Sequence, residues 1–496
     1  MSTEREVKLS VPATFTLPDL SDLEGLVATP AEPRRYQTVY VDTEDLRLAR
    51  WDCSLRHRQG EGWTLKFPAT SEGVLVVRDE LAFEGEARRV PPQASDLFRA
   101  YARGSELRPV ARLRTLRRRV ELSDAEGARL GEIVDDEVSV MDGARVAARF
   151  REVEVEVAVQ ADVPPPLLDA IVARLREAGA SPTDGTPKYR QALGARASAP
   201  PDVVVPELGP EASVGEVVRG AAAASVVRLL RHDAGVRLGA DIEDVHQARV
   251  ATRRLRSDLR TFRDVIDPDW DAALREELGW LGGELGTVRD LDVQLERLRG
   301  RVAALPEEDL PVGERLVARL SERRDAAREH LLVGMRSERY VALLDRLVEA
   351  AREPAVVPDA ASAPAVMALG AVMERPWKHL KGALDGLGED AADADLHMAR
   401  IRTKRARYAA EAVEAVFGKR ARAFAREAAA LQGVLGEHQD AVVAQAWLRE
   451  VATGGGRGAF VAGELAMLER QAASAARARW RGVWKDLSRK RLRFWP

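Results

Sequence analysis

The run Glu152-Val153-Glu154-Val155-Glu156-Val157 leaves a chain few choices. Strict alternation of charged and branched apolar side chains suits a β-strand, where successive residues point to opposite faces. The alternation recurs upstream. Glu4, Glu6 and Lys8 share one parity, and Arg5, Val7 and Leu9 the other. Arg56 and Arg58 alternate likewise, Lys66 closes Trp63-Thr64-Leu65-Lys66, and Arg78-x-Glu80 repeats the pattern. In Arg117-Arg118-Arg119-Val120-Glu121-Leu122, packing Val120 and Leu122 turns Arg117, Arg119 and Glu121 to the charged side. A single strand of this kind is satisfied by a sheet facing water. Five or more, spread over residues 1 to about 193, predict a closed barrel with a polar interior and an exterior packed on other elements.

Carboxylates on the first and last strands offer the oxygen ligands that a hard divalent cation prefers. The arginines and lysines between them form a cage for a compact polyanion, arginine contributing bidentate contacts to phosphate. Carboxylates, metal and cage together suit phosphoanhydride hydrolysis. The ordered set, from Glu4-x-Glu6-x-Lys8 through to Lys188-Tyr189-Arg190, resembles the strand motifs of the CYTH superfamily, the triphosphate tunnel metalloenzymes. The resemblance covers residues 1–193 and implies an antiparallel eight-stranded β tunnel that binds triphosphate with Mg²⁺ or Mn²⁺. It implies that Glu4, Glu6, Glu152, Glu154 and Glu156 hold the metal, with Asp136 a further ligand if it, rather than Asp135, faces inward. Arg56, Arg58, Lys66, Arg78, Arg117, Arg119, Lys188 and Arg190 would grip phosphate, and Lys8 would sit beside the attacking water as part of the catalytic set with Glu4 and Glu6.

After residue 194 the chain changes character. Ala-Pro-Pro at 199–201, Pro206 and Pro210 make 195–212 read as a semi-extended linker. Strand alternation then disappears, and long Ala/Leu/Arg/Glu segments predict an all-α domain over 213–496. Pro354, Pro358 and Pro364 divide it into halves, 213–351 and 365–496. The halves repeat. His246-Gln-Ala-Arg-Val-Ala-Thr-Arg-Arg-Leu-Arg256 matches His397-Met-Ala-Arg-Ile-Arg-Thr-Lys-Arg-Ala-Arg407 at a spacing of 151 residues. Leu285-Gly286 through Asp290 matches Leu435-Gly436 through Asp440 at a spacing of 150. The expected fold is therefore multidomain α+β: the β tunnel, then two duplicated helical-bundle repeats.

At helical periodicity His246, Arg249, Arg253, Arg256 and Arg260 share one face, and His397, Arg400, Lys404 and Arg407 share the equivalent face of the second copy. One such stripe is explained by solvation. Two stripes converging on a groove repel one another unless a polyanion offsets them. The region from about 211 to 496 resembles a CHAD domain, a conserved-histidine α-helical domain, on these same residues and on the basic, aromatic end Arg489-Lys490-Arg491-Leu492-Arg493-Phe494-Trp495. The resemblance implies inorganic polyphosphate bound in a basic central pore, with Arg254, Arg260, Arg289, Arg405 and His438 as candidates for its edges.

Net charge is only −3 with 31% charged residues, so any polyanion binding is a local property. A single cysteine, Cys53, excludes an internal disulfide framework and a multi-cysteine metal site. The charged start and the lack of a long apolar run predict a soluble cytoplasmic protein without membrane partners, and polyphosphate binding extends that expectation to polyphosphate granules. The function expected is metal-dependent hydrolysis of inorganic triphosphate or short polyphosphate, coupled to polyphosphate binding. The alternative is a non-catalytic polyphosphate-binding adaptor. Nucleic acid is disfavoured because no aromatic residues interleave the stripes for base stacking. Adenylate cyclase activity occurs among tunnel-fold relatives, but nothing reads as an adenine pocket.

Overall fold

A computed structural model of the chain describes residues 2–72, 75–158, 161, 163–183, 185–388 and 390–495. The chain forms two compact units, Met1–Asp202 and Val203–Pro496.

The first unit is built on eight antiparallel strands: β1 (Ser2–Ser10), β2 (Arg34–Asp42), β3 (Ser54–Arg58), β4 (Gly62–Lys66), β5 (Leu75–Phe83), β6 (Arg108–Ser123), β7 (Arg129–Asp142) and β8 (Arg145–Val157). They pair in the order β1-β8-β7-β6-β2-β3-β4-β5, and β5 pairs back onto β1, closing the barrel as expected. Closure sets the register. Glu4 lies opposite Arg78, Glu6 opposite Glu156 and Lys8 opposite Glu154. The alternation now has a physical cause. Val7 and Leu9 of β1 and Val153, Val155 and Val157 of β8 join Ile133 in an apolar cluster outside the barrel, under α1 (Pro165–Glu177) and its Leu168, Ile171, Val172 and Leu175. Their charged neighbours are forced inward. A second apolar cluster, on the strand face that also carries Arg56 and Arg117, joins Tyr40, Leu113, Val138 and Val140 to Tyr189 and Ala197. The Lys188-Tyr189-Arg190 motif, grouped in the sequence with strand motifs, instead begins a short helix, α2 (Lys188–Leu193).

The stretch 195–212 is largely irregular but anchored. It opens with a 3₁₀ turn that buries Ala197, and the Asp202 carboxylate accepts hydrogen bonds from Trp51 Nε1 at 2.9 Å and from Arg103.

The second unit is helical: α3 (Val214–Leu238), α4 (Ile242–Phe262), α5 (Pro268–Val302), α6 (Leu310–Arg336), α7 (Glu338–Arg352), α8 (Glu374–Leu384), α9 (Asp393–Ala412), α10 (Lys419–Val451) and α11 (Gly456–Leu487). Side-chain oxygens of Ser213, Asp241, Asp267 and Ser337 accept from first-turn N–H groups and fix four of the helix starts. The helices α4, α5 and α6 correspond in sequence to α9, α10 and α11, and the signature helices α4 and α9 pack against each other. Ends of α5, α6, α10 and α11 share one core, including Leu298, Leu320, Trp447 and Leu465. Among the described residues no helix is long and apolar enough to cross a membrane.

Candidate functional site

Inside the barrel, β1 contributes Glu4 and Glu6, and the β1–β8 register brings Glu156 beside them. One carboxylate oxygen from each lies within 4.8 Å of the others. Three oxygen donors at this spacing fit a hard divalent cation. Burial and mutual repulsion set their protonation against the pull of Lys66 on Glu4 and of Lys8 on Glu6. Burial, then the charge of Glu154, pushes Glu6 up to about 7. Burial, then Glu154 and Glu4, pushes Glu156 up to about 8. Burial also works upward on Glu4, but the Lys66 ammonium, by charge and hydrogen bond, outweighs it and holds the carboxyl below its usual range.

The other interior carboxylates are engaged by cations of the protein itself. Lys188, dropped into the barrel from α2, lies 2.8 Å from Asp136, 2.9 Å from Glu152 and 2.7 Å from Glu154. Lys8 bridges Glu154 at 2.6 Å and Glu6 at 3.0 Å. Burial alone would raise Glu154, yet Lys188 and Lys8 hold it well below the carboxylate range. Arg117 clasps Asp136 through Nε at 2.8 Å and Nη2 at 2.6 Å. Asp136 does face inward, while Asp135 points out to Arg151 at 2.8 Å. The structure thus splits the expected ligand set. Glu4, Glu6 and Glu156 come together, whereas Asp136, Glu152 and Glu154 form a separate knot around Lys188.

The cations divide similarly. Arg56, Lys66, Arg78, Arg117 and Lys188 line the same cavity as Glu4, Glu6, Lys8 and Glu156. The Nε of Arg56 is buried without a hydrogen-bond partner. Three further candidates lie outside the lining. Arg58 stacks on Tyr36 at 4.8 Å and pairs with Glu61 at 3.0 Å. Arg119 approaches Glu132 at 3.7 Å. Arg190 donates to the Ala49 carbonyl at 2.8 Å. Three participants had no signal in the strand pattern: Tyr40 and Tyr189, which line the cavity, and Asp52. Asp52 sits in a turn at φ 58°, and accepts from Arg78 at 3.2 Å and Tyr189 at 3.2 Å. A turn residue has no parity to read.

In the helical unit the two stripes do converge. Arg253, Arg256 and Arg260 of α4 face Lys404, Arg405 and Tyr408 of α9 around a cavity of about 300 Å³. Nε atoms of Arg253, Arg256 and Arg400, and Nδ1 of His397, are buried without partners. Burial, then Arg400, Arg253 and Arg249, pushes Lys404 down to about 7. Arg253 and Arg260 are likewise lowered, by burial first and then by neighbouring guanidiniums. Burial, then Arg289, also lowers His246.

The second repeated motif explains how the stripe is aimed. Arg249 donates to the Gly286 carbonyl at 2.6 Å and to Asp290 at 2.8 Å. A Cβ on Gly286 would stand 3.4 Å from that guanidinium, and one on Gly436 would stand 3.5 Å from Arg400. Asp440 mirrors Asp290, with Arg400 at 4.0 Å. Glycine and aspartate therefore seat one arginine in each repeat. Arg407 departs from its row, turning to Glu411 at 2.6 Å.

Comparison with known proteins follows the same division. The chain matches the CYTH domain family over residues 2–189 and the CHAD domain family over residues 220–449. It is 32% identical over 462 residues to an uncharacterised protein of Mycobacterium tuberculosis, covering 89% of this chain and 87% of that one. Among solved structures, it is similar to the CHAD domain from the plant Ricinus communis (28% identity, TM-score 0.48, 57% of this chain and 95% of that one). It is also similar to a Hippeastrum protein named for adenylyl cyclase and described as having a dominant triphosphatase activity (14% identity, TM-score 0.25, 38% of this chain and 94% of that one). With a relative matched along nearly its whole length and both domain families matched in order, the chain belongs to the family that joins an N-terminal CYTH domain to a C-terminal CHAD domain.

Proposed function

We propose that the barrel hydrolyses inorganic triphosphate or short polyphosphate with a divalent metal, and that the helical unit binds inorganic polyphosphate. The observation that carries the first part is the placement of Glu4, Glu6 and Glu156 in one cavity with Arg56, Lys66, Arg78 and Arg117. A compact linear polyanion needs such a cage. The three carboxylates, two of them raised by burial and by neighbouring carboxylates, fit Mg²⁺ or Mn²⁺. Such an ion, when bound, neutralises phosphate oxygens and makes a bound water more acidic.

The chain's own residues do the rest. Arg56, with its unsatisfied Nε, and Arg117 hold non-bridging oxygens and stabilise the charge that spreads over the transferred phosphoryl group. Water oxygen bonds to the terminal phosphorus as the bridging P–O bond breaks, and triphosphate yields phosphate and pyrophosphate. Lys8, kept protonated between Glu6 and Glu154, acts as a hydrogen-bond donor rather than a base. Lys66 and Arg78 hold the substrate from the facing strands.

The test is phosphate release from triphosphate with Mg²⁺ or Mn²⁺, comparing wild type with Glu4→Gln plus Glu6→Gln. Equal rates would remove the assigned metal site. Wild type that binds triphosphate without turnover would leave the adaptor reading in its place. Polyphosphate binding is supported by Arg253, Arg256 and Arg260 of one repeat and Lys404 and Arg405 of the other around one cavity, with Nε of Arg253 and of Arg256 buried and lacking a hydrogen-bond partner. Competition checks it: long-chain polyphosphate should displace labelled polyphosphate far better than DNA or RNA of equal charge.

A further inference from the structure

Duplication should give the helical unit two equivalent mouths, one at each side of the paired α4 and α9 helices. The residues 151 positions apart do not carry equivalent charge. Arg254 and Arg256 have basic counterparts in Arg405 and Arg407, but Arg260 is replaced by Glu411 and Arg263 by Glu414. The two charge reversals, Glu411 at the end of α9 and Glu414 just past it, line one cavity.

The consequence is visible in the ion pairs. On the first side, the central cavity shares Ser257, Arg260 and Arg405 with an outer one of about 300 Å³, which adds Arg263, Arg375, His379 and Arg402. Among the described residues, Arg256, Arg260, Arg375, Arg402 and Arg405 make no ion pair within 4.0 Å. One carboxylate, Asp264, lies here and is taken by Arg263 at 3.3 Å. On the second side every lining cation is neutralised. Glu411 holds both Arg254 and Arg407, Arg254 also pairs with Asp258 at 3.1 Å, Glu414 pairs with Arg422 at 2.7 Å, and Glu427 with Arg426 at 3.4 Å.

We propose that the helical unit takes a linear phosphate chain through one mouth only, framed by Arg260, Arg375, Arg402 and Arg405, while Glu411 and Glu414 close the related mouth to polyanions. The inference rests on the polyphosphate reading and adds a direction to it. At the open mouth a phosphate relieves mutual repulsion among guanidiniums of which Arg260, Arg375, Arg402 and Arg405 make no ion pair of their own among the described residues. At the closed mouth the same phosphate would have to displace a carboxylate already making charge-assisted hydrogen bonds to two guanidiniums, and would meet the charge of Glu414 as well. The outer residues Arg375 and Arg402 lie off the repeated His246 and His397 faces. Their role is to lead the end of the chain from solvent to the buried pair Arg253 and Lys404.

The experiment titrates the full chain with labelled long-chain polyphosphate at several salt concentrations. It compares wild type with two variants that lose equal charge from opposite mouths, Arg375→Ala plus Arg402→Ala and Arg422→Ala plus Arg426→Ala. Arg375 is exposed and the Arg422 and Arg426 side chains are 68% and 74% exposed, so folding is not at stake at these positions, and circular dichroism checks Arg402. The first variant should bind about tenfold more weakly and the second less than about twofold more weakly. Losses that agree within about threefold overturn the single mouth and leave polyphosphate binding standing. A wild-type chain that fails to bind polyphosphate in the same titration overturns the functional reading itself.

Discussion

Both the barrel and the helical unit gather buried cations, and they differ in what compensates them. In the barrel, Lys188 lies within 3 Å of three carboxylates, and Arg117 grips Asp136 with two nitrogens. In the helical cavity, Arg253 and Lys404 face other cations and the ring of Tyr408. The first is largely a closed network, in which Lys66 pairs with Glu4 and Lys8 with Glu6, and Glu156 makes no ion pair among the described residues. In the second, neither Arg253 nor Lys404 makes an ion pair among the described residues. A buried charge with a partner is stable when the partner is retained, and a buried charge without one stores a penalty that a ligand relieves.

The same substitution should therefore have opposite signs in the two regions. Lys188→Met strands Asp136, Glu152 and Glu154 without their shared cation and should destabilise the chain by about 3–5 kcal/mol, read from calorimetric unfolding. A loss below about 1 kcal/mol would break the contrast on the barrel side. Next in size, Arg253→Ala with Lys404→Ala should weaken polyphosphate binding on the order of tenfold to a hundredfold, and lower its salt slope by about one per cation removed. An unchanged slope would take both residues out of the site.

Saturating Mg²⁺ or Mn²⁺ should stabilise wild type by about 2–3 kcal/mol, and chelation should abolish the gain. Glu4→Gln with Glu6→Gln should show no metal-dependent shift, because two of the three ligands are gone. A shift of full size in that variant would move the metal elsewhere. The smallest effect belongs to Lys404→Met, which should stabilise the unliganded chain by about 1 kcal/mol. Its sign follows from a folded pKa of about 7 against 10.5 unfolded. Between those values the unfolded chain holds a proton that the folded chain has lost, so wild-type stability rises with pH across that window. The gain from Lys404→Met should then be largest below pH 7 and fade towards pH 10.5. A gain independent of pH would mean that Lys404 is not held among like charges.

Much of the barrel was legible because strand parity is a two-state variable. Once Val7, Leu9, Val153 and Val155 must pack outside, Glu4, Glu6, Lys8, Glu154 and Glu156 must point in. Helical periodicity worked equally well for the stripes, since Ala248, Ala251 and Leu255 have to face the core. Parity was less able to rank inward residues. It placed Arg56 and Arg58 together, yet Arg56 lines the cavity and Arg58 is absorbed by Tyr36 and Glu61. Asp52 and Tyr189 escaped notice because a turn and a short helix impose no alternation to interrupt.

The sequence by itself determined which face each charged residue occupies and that the helical half is a duplication, because both follow from local periodicity and apolar burial. Tertiary structure decided which inward charges meet. The β1–β8 register set Glu156 beside Glu6, and helix α2 delivered Lys188 to the neighbouring carboxylates, so that among the described residues Glu156 has no ion pair while Glu152 and Glu154 of the same row are locked to Lys188. It also gave meaning to two reversed charges in the repeat. Glu411 and Glu414 are unremarked letters in the sequence, and they neutralise one mouth only because packing α4 against α9 carries Arg254 across to Glu411. Charge compensation acts over a few ångströms in three dimensions, and only the assembled fold fixes those distances.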